Sequence, residues 1–344
     1  MPRIWGARSL APLFPSKTNL HEPIGEAWLT GHGCRVAGGP FSGKTLGAAW
    51  REMPPDWRGT RLAAEPEFPL LVKFLFPSDK LSIQVHPDDA YAAAHEQGAD
   101  HEKIPAGVRG KTEMWYAVAA ESGAELLLGL KPGATREEFR AAIAQGTAED
   151  FLERWSVRTG DAFFVPAGTP HTIGPGMLLC EVQEYCDLTY RVCDYGRVDS
   201  SGKPRELHVE KALAVMNFGK RAGGRVAPAE MRQGMLRKTP LAACRYFAAE
   251  KWEFEGVVEA RTAAEQFEVL IVLGGAGRLE WNGGACAYAP AQAWFLPAAM
   301  GAFRIAPERG SALLRAFVPG TDAARREWLR QGLEETAVSR VVFD

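Results

Sequence analysis

Gln84 and His86 lie in LSIQVHP (Leu81–Pro87), a short run with the branched and aromatic composition of a strand. Strand alternation sends both side chains off one face, and Ser82 with them. Lys111 and Glu113, in GKTEMW, repeat the two-residue spacing where another apolar run begins. His171 follows a proline and a glycine-containing turn in VPAGTPHTI, which is expected to put its imidazole at the mouth of a barrel rather than in its packed middle. Each has an ordinary explanation by itself: a turn-capping histidine, a solvated strand edge, a hydrogen-bonded core histidine. Together Gln84, His86, Glu113 and His171 supply two imidazoles, a carboxylate and a carboxamide oxygen, a donor set for a borderline divalent metal. A carboxamide is a less usual zinc ligand than His or Cys, so spacing leaves zinc, iron and manganese open.

Downstream, CEVQEYCDLTYRVCDYGR (Cys180–Arg197) places Glu181 and Gln183 on one strand face. Arg191 sits in an aromatic, β-prone stretch, where the plain expectation is a surface arginine paired with Asp187 or Asp194.

These residues need strands to hold them, and the chain provides many. FPLLVKFLF (Phe68–Phe76) and LSIQVHP read as two strands with a tight connection, and EMWYAVAA with AELLLGL as a hairpin pair. PDDAYAAAHEQ (Pro87–Gln97) opens as a helix does. Thr135 and Thr147 stand at N-cap positions, which predicts two short helices inserted at about 134–156. A further helix, ELHVEKALAVMNF (Glu206–Phe218), runs into a Gly/Arg-rich linker. DAFFVPA and QAWFLPA mark an internal repeat in which Pro166 lies over Pro297 and His171 over Ala302. Upstream, EMWYAV over FEVLIV sets Glu113 on Phe267, so the second copy is expected to have lost its polar positions. The fold class is therefore mainly β, two jelly-roll units, the second degenerate. The expected domains are 1–205 with the helical insert, 206–232 as helix and linker, 233–319 as the second unit, and 320–344 as a tail.

With 344 residues, two domains are the default. A formal net charge of -2 excludes the broad basic field of nucleic-acid binders. No apolar run is long enough to span a bilayer, and the N-terminus lacks the apolar core of a secretory signal. Six cysteines without CxxC or zinc-finger spacing fit reduced thiols in a cytoplasm.

FPLLVKFLFPSDKLSIQVHPDD, GKTEMWY, VPAGTPHTI and the stretch ending in TYRVCDYGR together resemble type I mannose-6-phosphate isomerases in their shorter bacterial form, with IGEAWL and LHVEKAL as further landmarks. The resemblance is specific from Trp5 to about Phe218 and thinner from there to about Pro319. It implies two cupin barrels and a zinc ion held by Gln84, His86, Glu113 and His171. It also implies an active-site arginine at Arg191, a sugar-phosphate pocket lined by Ser82 and Lys111, and an acid/base at Glu181. The loop at 99–109 is longer than the family leads one to expect, which bears on the pocket rim.

The implied reaction interconverts mannose 6-phosphate and fructose 6-phosphate through a cis-enediol. A metal holds the oxygen on which charge builds, and Glu181 shuttles the proton if burial raises its pKa toward neutrality. Lys111 and Arg191 suit the enediolate or the phosphate dianion, and the sequence does not divide these tasks between them. The implied partner is a sugar phosphate, with no nucleic acid and no membrane, and monomer and homodimer stay open. An iron oxygenase built on the two histidines and Glu113, or a non-catalytic sugar-binding cupin, are the competing readings.

Overall fold

Antiparallel sheets carry most of the chain, as the short branched runs predict. The structure is a computed structural model and describes residues 1–96, 109–198, 202–219 and 223–343. The long loop at 99–109 lies, except for Arg109, outside the described residues. One unit comprises Met1–Leu10, Thr18–Trp28 and Leu71–Arg225, the other Ala11–Lys17, Leu29–Leu70 and Val226–Asp344. A linear cut after residue 205 does not describe this division, because residues 29–70 join the second unit. Thr45 caps helix Leu46–Glu52 by accepting from the Ala48 N–H at 3.3 Å. The helix turns Trp50 edge-on to Phe68, Phe267 and Phe295, with ring centroids 5.3, 5.4 and 6.5 Å away. The expected tail also belongs here, since helix Thr321–Arg330 buries Trp328.

In the first unit, one sheet orders its strands as Gly224–Arg225, Ala162–Val165, Glu113–Ala120, Met177–Glu184, Leu70–Leu75 and Glu26–Trp28. The other orders Tyr190–Cys193, Ile83–Val85, His171–Ile173, Glu125–Leu130 and Leu152–Ser156. A shared core joins their inner faces, Trp115, Phe163 and Leu179 from the first sheet meeting Leu126, Leu128 and Ile173 from the second. Glu113–Ala120 and Glu125–Leu130 are not the hairpin that their spacing suggests. The short link between them crosses from one sheet to the other, so both runs bury apolar residues in one core.

Of the inserted helices, Arg136–Gln145 forms behind a full capping box at Thr135. The second reduces to one 3₁₀ turn, Ala148–Phe151, before strand Leu152–Ser156. Thr147 does not cap it, because its hydroxyl turns back to the Ala142 carbonyl at 3.4 Å.

The second unit repeats the plan. Its larger sheet orders Met231–Gln233, Leu236–Ala243, Ala248–Phe254, Ser311–Phe317, Glu268–Gly274 and Ala293–Leu296, and its smaller one has four strands. Among the described residues no ladder joins the two sheets of either unit into a closed barrel. The ladders correct the repeat by one residue. Glu113 pairs across to Val165, and Glu268 pairs across to Leu296, the residue before the matching proline. The counterpart of Glu113 is therefore Glu268, not Phe267, and the second unit keeps a carboxylate there. His171 pairs with Gln84 as Ala302 pairs with Arg261, so both of those polar positions have changed. No helix of the described residues is long and apolar enough to cross a membrane.

Candidate active site

Register brings the site together. On the smaller sheet of the first unit, Gln84 pairs with His171 on one side and Arg191 on the other, so three adjacent strands present functional side chains at one level. On the larger sheet, Glu113 and Glu181 stand on neighbouring strands. His86 follows Val85 as the chain leaves its strand, and Pro87 with Asp88 then opens helix Asp89–His95.

The Nε2 atoms of His86 and His171 lie 3.8 and 3.5 Å from Glu113 Oε1. His86 Nδ1 is 2.7 Å from the Leu188 carbonyl, and His171 Nδ1 is 2.9 Å from that of Thr169. Each Nδ1 therefore donates, and each Nε2 presents its lone pair to the centre. Burial, above all, drives the His171 pKa down to about 4 and that of His86 well below the usual histidine range, so both rings are neutral at pH 7. Glu113 is fully buried, its Oε1 receives no hydrogen bond, and its Oε2 meets the Lys111 ammonium. Burial and then the charge of Glu181 push its pKa up to about 7. Two neutral imidazoles around an unsolvated carboxylate fit a divalent cation, which would restore the ionised form of Glu113. Among the described residues this is the only such cluster of three His, Cys, Asp or Glu side chains. Gln84, its Nε2 3.2 Å from His171 Nε2, adds a fourth donor by amide rotation.

Lys111 Nζ is 2.9 Å from Glu113 Oε2 and 3.1 Å from His86 Nε2, which ties its charge to this cluster. Ser82 Oγ donates to Gln84 Oε1 at 3.3 Å. A cavity of about 700 Å³ opens beside them, lined among others by Ser82, Gln84, Lys111, Glu181 and Arg191. The eight residues singled out in the sequence thus converge.

Two expectations change. Arg191 makes no ion pair with Asp187 or Asp194 among the described residues. Asp194 is taken by Arg197 and Arg205, while Arg191 Nη1 donates to the Glu206 carbonyl at 2.9 Å. Its Nε is buried without a partner. Burial, then the neighbouring Arg205, lowers the Arg191 pKa, the mark of a cation among cations. Nor is the Glu181 pKa raised. Burial alone would raise it, but Lys73 and then Lys111 outweigh burial and hold it below the usual carboxylate value.

Lys73 was not foreseen. It is the one charged residue of strand LLVKFL, all six residues of which are buried, and that isolation was the available signal. Its Nζ lies 2.8 Å from Glu181 Oε1 and 3.7 Å from Asp187. Trp115, also unforeseen, donates its indole N–H to Glu181 Oε2 at 3.0 Å.

Comparison with known proteins gives concordant results. Residues 3–124 match the family model for the phosphomannose isomerase type I catalytic domain. Mannose-6-phosphate isomerase of Streptococcus mutans is 36% identical over 285 residues, 80% of this chain and 83% of the relative. Mannose-6-phosphate isomerase ManA of Bacillus subtilis is 35% identical, over 80% of this chain and 84% of its own. The crystal structure of a Bacillus subtilis mannose 6-phosphate isomerase superposes with a TM-score of 0.81 at 31% identity, covering 92% of this chain and 96% of that one.

Proposed function

The chain belongs to the type I phosphomannose isomerase family, and we propose that it interconverts mannose 6-phosphate and fructose 6-phosphate in the cavity lined by Ser82, Gln84, Lys111, Glu181 and Arg191. The enzyme is an aldose–ketose isomerase. The observation that carries the placement is Glu113, buried, unsolvated and flanked by two neutral imidazoles. We assign Gln84, His86, Glu113 and His171 as ligands of one zinc ion. When bound, that ion supplies Lewis-acid polarisation of the sugar oxygens at the reacting carbons.

The reaction moves a proton between C1 and C2 of the sugar through a cis-enediol. Glu181 is ionised at the outset, held so by Lys73, and takes the proton from one carbon and returns it to the other. The two cations divide their tasks by position. Lys111, bound to the ligand cluster, faces charge developing at the reacting end. Arg191, with a free Nε and with Arg3 and Arg205 on the same cavity wall, takes the phosphate dianion. Ser82, in the same cavity lining, hydrogen-bonds the sugar.

We read each two-sheet unit as a cupin-type jelly roll, the first catalytic and the second degenerate; the matching strand orders support this. Six cysteines without CxxC or zinc-finger spacing support a cytoplasmic enzyme. The iron-oxygenase and non-catalytic readings lose ground to the family match.

Elemental analysis beside a coupled fructose 6-phosphate assay tests the assignment. One zinc per chain is expected, lost together with turnover on chelation, while the folded sheets persist on their own apolar cores. Active enzyme with a metal content near zero would sink the idea.

A further inference from the structure

Trp115 is fully buried on strand Glu113–Ala120 and stays outside the cavity lining. It lies two residues beyond Glu113 and so shares its face. Across the ladder its partner is Glu181, whose Oε2 accepts the indole N–H at 3.0 Å. The other oxygen of that carboxylate, Oε1, meets Lys73 Nζ at 2.8 Å. Glu181 is thereby held at both oxygens, which fixes its rotamer. The indole ring also stands edge-on to the His171 imidazole, with centroids 5.1 Å apart and planes at 74°.

The second unit provides a control within the same chain. Leu270 pairs with Arg315 as Trp115 pairs with Glu181. Where the carboxylate is replaced by a guanidinium, the indole donor is gone as well. Beside Glu268, that unit buries a second carboxylate, Glu250, which accepts two indole N–H groups, from Trp252 at 2.8 Å and Trp328 at 2.5 Å. An indole N–H thus meets a buried carboxylate in each unit, at Glu181 and at Glu250 but not at Glu113 or Glu268, so the donor is placed selectively rather than wherever the core holds charge.

We propose that Trp115 is a positioning residue of the isomerisation: its N–H fixes the carboxylate of Glu181 toward the cavity while its ring braces the imidazole of His171. This rests on the reading of Glu181 as the proton carrier. A carboxylate that must reach two adjacent carbons has to be aimed, and a lost hydrogen bond to it leaves Lys73 free to swing it away from the substrate.

A double-mutant cycle on the metal-loaded full chain tests it, with Trp115→Phe, which keeps a ring against His171 and removes the donor, and Glu181→Gln. Trp115→Phe should retain its metal and leave KM within about twofold. Its kcat should fall roughly ten- to hundredfold, the scale for a hydrogen bond to a charged group. Added to Glu181→Gln, it should cause no further loss, because it acts through that carboxylate. Normal kcat in Trp115→Phe beside a crippled Glu181→Gln overturns the role of Trp115, as do losses that multiply in the double variant. Normal turnover in Glu181→Gln overturns the proton-carrier reading instead. Should Trp115→Phe fail to fold, 3-benzothienylalanine at position 115 puts sulfur in place of N–H at nearly unchanged shape and should show the same kcat loss; normal kcat there overturns the proposal.

Discussion

The two units use one strand order and opposite charges. In the first, Lys73 lies between Glu181 and Glu26, which itself pairs with Arg3 at 2.8 Å. In the second, Glu250 and Glu268 lie against Arg315, at 3.2 and 2.7 Å. Where the first unit leaves its buried polar groups facing a cavity, the second closes over them. Helix Thr321–Arg330 brings Glu327 to 3.3 Å from Arg315 and Trp328 onto Glu250. Both units therefore bury charge, but the first lines a cavity with it. Glu113 turns Oε1 to the two imidazoles and Oε2 to the Lys111 ammonium, whereas its counterpart Glu268 is held by the Arg315 guanidinium. A buried carboxylate with one unsatisfied oxygen destabilises a fold unless something binds it, so the difference fits the proposed ligand site in the first unit and a structural cluster in the second.

That contrast can be broken at the proposed metal ligands first. His171→Ala should lose metal and turnover together, turnover falling to background in the coupled assay. The reciprocal Ala302→His should add no second metal, since Arg261 stands where Gln84 does; two equivalents by elemental analysis would contradict the division of roles.

Next in size is the second unit's own ion cluster. Arg315→Ala strands two buried carboxylates and should cost about 3–5 kcal/mol in denaturant unfolding. Metal content and kcat of the folded fraction should stay normal; a lost metal would show that this cluster is not purely structural.

Arg191→Ala should keep its metal yet lose at least ~10²-fold in turnover, the scale for removing one electrostatic stabiliser. Arg191→Lys should recover only part, because an ammonium cannot reproduce the planar fork. Near-wild-type kinetics for Arg191→Ala would take it out of the site.

The smallest effect concerns an element that only the first unit has. Strands Gly277–Trp281 and Gly284–Tyr288 are joined by a tight turn with Gly283 at φ +102°, whereas their counterparts Glu125–Leu130 and Leu152–Ser156 flank helix Arg136–Gln145. Thr135→Ala removes that helix's cap and should cost about 1 kcal/mol by thermal unfolding, with kcat unchanged.

Much of this was legible in the sequence for a local reason. Gln84 and His86, and Lys111 and Glu113, are pairs at strand spacing, and alternation fixes their face whatever lies opposite. Thr135 was readable because a capping box is closed within four residues, while Thr147 looked alike but spent its hydroxyl on the preceding helix. What stayed hidden was non-local. The aligned residue for Glu113 slipped to Phe267 because EMWYAV and FEVLIV are both apolar runs, and only the cross-strand partners Val165 and Leu296 set the register. The ionised state of Glu181 depends on Lys73, more than a hundred residues earlier, which no periodicity in either segment announces. The hairpin of Glu113–Ala120 with Glu125–Leu130 failed likewise, since the link length is the same whether two runs pair or part into facing sheets.

The aromatic cluster around Trp50 has a consequence for synthesis of the chain. Residues 29–70 emerge from the ribosome early, yet Phe267 and Phe295, on which Trp50 and Phe68 pack, come from residues 226–344. At ~5–20 residues per second the interval is about 10–50 s. During it the intervening segment can complete the catalytic unit, while helix Leu46–Glu52 carries an uncovered indole. The nascent chain thus holds a sticky aromatic stretch in suspense until Phe267 and Phe295 emerge to cover it.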